Sequence, residues 1–126
     1  MTEFHTREFV EAMHTEQLRL HGGAPGIRDV GMLEAALARP LQKAIYGDPD
    51  IFGLAAAYLF GIVNNRPFVD GNERTALAAT DLFLVFNGWS LETDDASLIQ
   101  FVLMVAAGKI DEAGAAAFLR DHTEQA

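Results

Sequence analysis

The sequence contains no cysteine, which excludes disulfide bonds and thiolate metal sites and suits a reducing cytoplasm. Basic residues are scarce, because nine lysines and arginines stand against eighteen acidic residues and give a formal net charge of −9. This charge disfavours binding to a phosphate backbone, so no direct nucleic-acid partner is expected. No apolar run approaches the ~20 residues of a membrane span, and the N-terminus does not resemble a signal peptide. We therefore expect a soluble, cytoplasmic protein without a membrane partner.

Segments that alternate polar and apolar residues with a period of two, as half-buried strands do, are also missing over any useful length. The 126 residues instead predict a single domain over 1–126, an all-α bundle of six or seven helices with at most a minor short β element. The candidate β element is a small hairpin-like edge formed by the segments near Phe4 and near residues 90–92.

Capping residues and helix breakers predict where the first helices begin and end. Thr6 is placed to cap a first helix that ends at Gly22-Gly23. Asp29 is placed to cap a second helix, which Pro40 would close because proline cannot continue the hydrogen-bond ladder. The turn GDPD, residues 47–50, then precedes the third helix.

The third helix, IFGLAAAYLFGIV over residues 51–63, is apolar on every side, which predicts a central helix surrounded by others. After a polar loop, a long apolar-rich helix runs to Asn87-Gly88. The last two helices are expected to start at caps, one chosen from Thr93, Asp94 and Asp95 and the other Asp111.

The polar loop, NNRPFVDGNERTA over residues 64–76, is the least ordinary stretch of the chain. Its residues 70–74 would lie at a helix N-terminus, where the first N–H groups have no internal partner and carry about half a positive charge. Gly71 would let an anion approach these groups closely, and Arg74 could clamp phosphate in a bidentate manner. The same residues could instead be ordinary turn, capping and solvated side chains.

Three further loop residues are candidates for metal binding, loop orientation and packing. Asp70 could ligate Mg²⁺, which prefers carboxylate and phosphate oxygens. Asn72 could orient a phosphate oxygen or the loop itself. Phe68 is expected to anchor the loop in the core.

The segment RPFVDGNERTA resembles the signature of the Fic/Doc family, in which a histidine, a Pro-Phe pair, an acidic residue, Gly-Asn, a variable residue and an arginine form the active loop. Leu77 stands where the Fic branch usually carries a second arginine, which favours the Doc (death on curing) branch of toxins from toxin–antitoxin pairs. Further segments that resemble this branch are GGAPGIRD, LEAALARP, AAAYLFGIV and TALAATDLFLVFNGW.

The resemblance implies a fold, an activity and roles for the loop residues. Asp70 would hold Mg²⁺, Gly71 and Asn72 would cradle phosphate, and Arg74 would bind it, with Asp70, Asn72 and Arg74 forming the catalytic set. Doc toxins are similar in fold to Fic adenylyltransferases, but they are kinases that transfer the γ-phosphate of ATP to a threonine of elongation factor Tu and stop translation. Their Phd-type antitoxin neutralises them through a C-terminal segment that folds into a groove on the toxin.

Two positions depart from the family pattern. Arg66 replaces the histidine that takes the proton from the attacking hydroxyl, and a guanidinium stays protonated at neutral pH. Losing a well-placed base costs roughly 10²- to 10⁴-fold in rate. Glu73 replaces the Doc lysine, so an attraction to phosphate of roughly 4 kcal/mol at an effective dielectric of about 20 becomes a repulsion.

These departures predict an impaired enzyme, unless Arg66 bonds the phosphates as a surrogate cation or Glu73 joins Asp70 around a metal. Each change needs one transition in a codon, which fits an inactivated copy of a toxin, and a natural degenerate family member is the rival explanation. The alternative functions are adenylyl transfer and a non-catalytic module that binds the antitoxin.

Two residue pairs outside the loop also have open roles. His14 and His21 lie two turns apart on the first helix and could face one ligand, or they could serve as a capping or packing pair. Arg28 and Asp29 could border the nucleotide pocket as a flap, or they could pair with each other at a helix start.

Overall fold

The structure, a computed structural model, describes residues 1–47 and 50–126. Six α-helices and a small two-stranded antiparallel sheet make up this part of the chain, which confirms the predicted all-α bundle with a minor β element. The elements are α1 (Arg7–His21), α2 (Val30–Tyr46), α3 (Ile51–Asn65), α4 (Asn72–Phe86), β1 (Trp89–Leu91), α5 (Asp95–Ala106), α6 (Glu112–Asp121) and β2 (Thr123–Gln125).

Side chains cap most of the helix starts, as the sequence predicts. Thr6 and Asp29 accept hydrogen bonds from the first turns of α1 and α2, and Asp111 does so for α6. Among the three candidates for α5, Asp94 is the cap. In the GDPD turn, residues 48 and 49 lie outside the described residues, and Asp50 caps α3.

The prediction that Pro40 ends the second helix is wrong, because α2 continues to Tyr46 with Pro40 inside it. Proline has no N–H, so the carbonyl of Ala36 lacks its usual helical donor. Gly61 of α3 packs against that carbonyl, since a Cβ added at Gly61 would lie 3.0 Å from the Ala36 oxygen and 3.1 Å from its Cα. Pro40 is buried with Leu33, Ala36 and Leu37, so packing of α2 against the core holds the helix across the proline.

Helix α3 is the central helix that the sequence predicts. Eleven of its residues are buried, and it contacts α2, α4, α5 and α6. Because α3 is apolar all round, it is stable only when other helices cover it. Within residues 1–47 and 50–126, every helix is too short or too polar to cross a membrane.

The small sheet joins different segments from those expected. Strand β1 pairs with β2, with Ser90 opposite Glu124, instead of with the segment near Phe4. The N-terminal segment is held by the side chain of Asn87, whose oxygen accepts from the Glu3 N–H at 2.8 Å and whose amide donates to the Glu3 carbonyl at 3.0 Å. Phe4 packs against Phe83 instead of entering a strand.

Candidate functional site

A cleft of about 410 Å³ opens beside the N-terminus of α4. It brings together four of the loop residues that the sequence singles out, Asp70, Gly71, Glu73 and Arg74. The remaining wall is polar on the α1 side and apolar on the α4 and α5 side, lined by His21, Gly22, Gly23, Leu77, Ile99, Val102 and Leu103. A cleft with one charged end and one apolar wall suits a ligand that is itself part anion and part planar or apolar group.

The N-terminus of α4 carries uncapped backbone donors. The helix begins after Gly71, whose φ of +77° is a left-handed conformation that glycine adopts at little cost. No side chain caps this end, and within the described chain no acceptor bonds the N–H groups of Asn72, Glu73 and Arg74. Free N–H groups at a helix start favour an anion.

The side chain of Asn72 orients the loop. Its oxygen accepts from the Phe68 N–H and its amide donates to the Phe68 carbonyl, both at 3.0 Å. Asn72 is fully buried, and Phe68 is 1% exposed in the core. Of the two roles left open for Asn72, its side chain has the loop-orienting one, and its backbone N–H remains at the helix end.

Residues 24–29 are hydrogen-bonded to the loop from outside. The N–H of Val69 donates to the Gly26 carbonyl, and the N–H groups of Arg28 and Asp29 both donate to the Pro67 carbonyl. The Arg28 guanidinium also donates to the carbonyls of Asn65 and Arg66, each at 2.7 Å. Arg28 therefore bonds the end of α3, whereas Asp29 caps α2, and the two side chains do not pair.

Asp70 is held at the edge of the cleft by two backbone donors. Its carboxylate accepts from the Gly71 N–H at 2.9 Å and from the Ala24 N–H at 3.2 Å. Gly23 lies beside it with a φ of +124°, a conformation that favours glycine, and an added Cβ would lie 3.0 Å from a carboxylate oxygen of Asp70 and 2.9 Å from Leu18. Gly23 is a site residue that the sequence-based prediction lacks, although the Gly22-Gly23 pair is a local signal of such a close approach.

The two histidines of α1 bind different partners. His14 is 5% exposed, its ring stacks on Phe68 with centroids 3.8 Å apart, and its Nε2 lies 2.8 Å from the Asp70 carbonyl oxygen. His21 reaches the cleft, where its Nε2 lies 3.3 Å from a guanidinium nitrogen of Arg74. The contact of His14 with the loop has no signal in the sequence, because 56 residues separate His14 from Asp70.

The two residues that depart from the family pattern contact each other. A guanidinium nitrogen of Arg66 lies 2.7 Å from a carboxylate oxygen of Glu73, and the side chains are 52% and 32% exposed. Arg66 ends α3 with a φ of +46° and a ψ of 58°, a left-handed conformation that is uncommon outside glycine. Glu73 lines the cleft, whereas Arg66 reaches it only through Glu73.

Comparisons with known proteins identify the family of this chain. The model of the Fic/DOC family matches residues 4–84, which is more than half of the chain. The chain belongs to the Fic/DOC family. It is 43% identical over 97 residues to toxin Doc of Mycolicibacterium smegmatis, covering 75% of this chain and 72% of that protein. It is 34% identical over 110 residues to protein kinase doc of Escherichia phage P1, covering 86% of each. These relatives confirm the resemblance to the Doc branch.

The residues of this Fic/DOC cleft fit a nucleotide with Mg²⁺. The free N–H groups of Glu73 and Arg74 and the Arg74 guanidinium offer donors to phosphate oxygens, whereas Asn72 is fully buried behind them. Asp70 offers a carboxylate, and Mg²⁺ commonly takes one or two carboxylates from a protein and completes its coordination with phosphate and water.

Proposed function

We propose that this chain is the toxin of a type II toxin–antitoxin system, a cytoplasmic Doc-type kinase that acts on a threonine of elongation factor Tu and so inhibits translation. The observation that carries the proposal is the convergence of free α4 N–H groups, Arg74 and Asp70 in one cleft. The similarity to a protein named protein kinase doc supports kinase activity over other transfers. A Phd-like antitoxin is its proposed partner.

Each part of the cleft then has a role in phosphoryl transfer. Asp70 would hold Mg²⁺, and the N–H groups of Glu73 and Arg74 would bind phosphate oxygens together with the Arg74 guanidinium, while Asn72 holds the loop in shape. Arg74 would exchange its contact with His21 for one with phosphate. The apolar wall, which includes Leu77, Ile99 and Val102, would cover the nucleoside. Bound ATP would supply the γ-phosphate.

We further propose that this copy is catalytically impaired. Arg66 cannot accept a proton from a hydroxyl at neutral pH, so the base step loses its group. Glu73 places a carboxylate in the first turn of α4, at the end of the helix that favours negative charge. That carboxylate competes with a phosphate for the same positive potential. Its ion pair with Arg66 also leaves the Arg66 guanidinium less available to a phosphate.

The effect of Glu73 on nucleotide binding can be measured directly. We expect Glu73→Gln to raise the affinity for ATP with Mg²⁺ by about tenfold, because it removes a repulsion between like charges. The matched variant Arg66→Gln leaves Glu73 without its cation and should lower the affinity. Isothermal titration calorimetry of the chain and both variants provides the test, and equal affinities in all three would contradict the proposed phosphate position.

The kinase proposal is tested with the double revertant Arg66→His, Glu73→Lys. We expect the revertant to transfer label from γ-labelled ATP to elongation factor Tu roughly 10²- to 10⁴-fold faster than the chain itself. Its expression without antitoxin should arrest bacterial growth. Label from the α-phosphate would identify adenylyl transfer instead, and a harmless revertant that transfers neither label would refute the enzyme proposal.

The second candidate function is a non-catalytic module that binds the antitoxin. The Arg66–Glu73 ion pair favours it, because these two side chains neutralise each other without a ligand. This candidate predicts that the chain co-elutes with the antitoxin encoded beside it while the double revertant still transfers no phosphate. An active double revertant would instead support the proposal that this chain is an impaired kinase.

A further inference from the structure

His14 contacts the candidate site from a buried position on α1. Its Nε2 lies 2.8 Å from the Asp70 carbonyl oxygen, and its ring lies flat against Phe68, with 8° between the planes. A carbonyl oxygen only accepts, so Nε2 carries the hydrogen and His14 is the donor. The Asp70 carbonyl therefore accepts from a side chain of α1 and not from a backbone N–H of α4.

This bond bears on where α4 begins. If α4 started one residue earlier, the Asp70 carbonyl would accept from the N–H of Arg74, four residues later. In the structure the carbonyl is turned toward His14, and the Arg74 N–H has no acceptor within the described chain. Because the peptide unit is planar, fixing the Asp70 carbonyl also fixes the direction of the Gly71 N–H, which contacts the Asp70 carboxylate.

We propose that His14 is a positioning residue of this cleft: its hydrogen bond to the Asp70 carbonyl fixes the start of α4, and so sets the free N–H groups and the Asp70 carboxylate for a nucleotide with Mg²⁺. The nucleotide part rests on the proposed function. The effect on the loop does not, because it concerns the unliganded protein.

Two substitutions separate the hydrogen bond from the ring stacking. His14→Gln keeps a nitrogen donor at nearly the distance of Nε2 but removes the aromatic ring. His14→Phe keeps a ring that can stack on Phe68 but removes the donor. If His14 acts by positioning, glutamine should preserve the site and phenylalanine should not.

The first measurement is hydrogen exchange by NMR in the unliganded chain. The reporters are the N–H groups of Phe68 and Val69, which bond Asn72 and Gly26. We expect these two amides to exchange about tenfold faster in His14→Phe and within about twofold of the native rate in His14→Gln. Amides of α3 provide the internal control for global stability.

The second measurement is titration with ATP and Mg²⁺, carried out in the Glu73→Gln background, where the higher affinity makes losses measurable. We expect His14→Phe to lower the affinity about tenfold and His14→Gln to change it by less than twofold. Loss in the glutamine variant alone, or equal loss in both variants, would overturn the proposal, because either result indicates packing without positioning. If no protein in the series binds ATP, the proposed function fails, and the exchange rates still decide the role of His14 in the loop.

Discussion

At the scale of single residues, Arg66 and Glu73 form a complementary pair. They place opposite charges 2.7 Å apart at the two positions that depart from the family pattern. A half-exposed ion pair contributes only about 0 to 1 kcal/mol to stability, so the pair acts on the charge of the cleft more than on the fold. This geometry favours the hypothesis that positions 66 and 73 changed together over the hypothesis of two unrelated changes.

The small energetic weight of this pair leads to a stability prediction. We expect the double revertant Arg66→His, Glu73→Lys to melt within about 5 °C of the native chain, because it loses only one partly exposed ion pair. Differential scanning calorimetry checks this. A much larger fall would show that the pair is structural, and changes in activity would then need correction for unfolding.

Asp81 provides a prediction about pH. Burial beside α5 raises the pKa of its carboxyl above the usual range, and the charge of Asp95 raises it further. An acid with a raised pKa in the folded state favours folding while protonated, so its stabilising contribution is full below the usual pKa of ~3.9 and is lost as pH rises through the folded pKa. Asp81→Asn should therefore increase the free energy of unfolding at pH 7, and the increase should vanish toward pH 3. Urea unfolding at both pH values measures it, and an equal gain at both would contradict this assignment.

At the scale of elements, the contact between α2 and α3 depends on the absence of a side chain at Gly61. A Cβ there would lie 3.0 Å from the Ala36 oxygen, against backbone that cannot move independently. We expect Gly61→Ala to lower the free energy of unfolding by about 1 to 3 kcal/mol, despite the better helix propensity of alanine. Chemical denaturation measures the change.

Gly53, in the same helix, is the matched control. A Cβ at Gly53 would make ordinary van der Waals contacts, at 3.6 Å with the end of the Lys43 side chain and at 3.9 Å with the Cβ of Asp50. Gly53→Ala should leave stability unchanged or raise it by up to about 1 kcal/mol through helix propensity. Similar losses in both variants would show that glycine in α3 matters for a reason other than close packing.

The sequence predicted the elements wherever local chemistry decides them. Caps such as Thr6 and Asp29 act within one turn, and the apolar character of α3 is visible in its own residues. The errors at Pro40 and Phe4 have a tertiary origin. Pro40 is buried in α2 together with Leu33, Ala36 and Leu37, so packing against the core holds the helix across the proline. The partner of β1 comes from the end of the chain.

The candidate site divides in the same way. The loop residues from Asp70 to Arg74 are contiguous, so their common position at a helix start could be read from the sequence. His14, Gly23 and Arg28 reach the loop across long sequence separations. Neither the hydrophobic periodicity nor the residue spacing of the sequence predicts such contacts, because they depend on how α1 and α2 pack.

At the scale of the whole molecule, the site is built on the end of the most buried helix. Helix α3 contacts four other helices, and Arg66 and the loop follow directly at its C-terminal end. We expect the amides in the middle of α3 to exchange only on global unfolding, and those of β1 and β2 to exchange much faster. Hydrogen exchange with mass spectrometry checks this order. Faster exchange in α3 than in α1 would contradict a single core centred on α3.

The left-handed backbone at position 66 has a consequence for the history of the site. Among residues other than glycine, histidine, asparagine and aspartate adopt this conformation several-fold more often than average, whereas β-branched residues avoid it. The chain has kept a turn that suits an imidazole while holding a guanidinium there. On the proposal that this copy is an impaired kinase, restoring position 66 requires a change of side chain and no new turn. In a Glu73→Lys background, a codon-randomised library at position 66 is then expected to yield toxic clones that carry histidine, and folded clones that carry valine or isoleucine much less often than clones that carry asparagine.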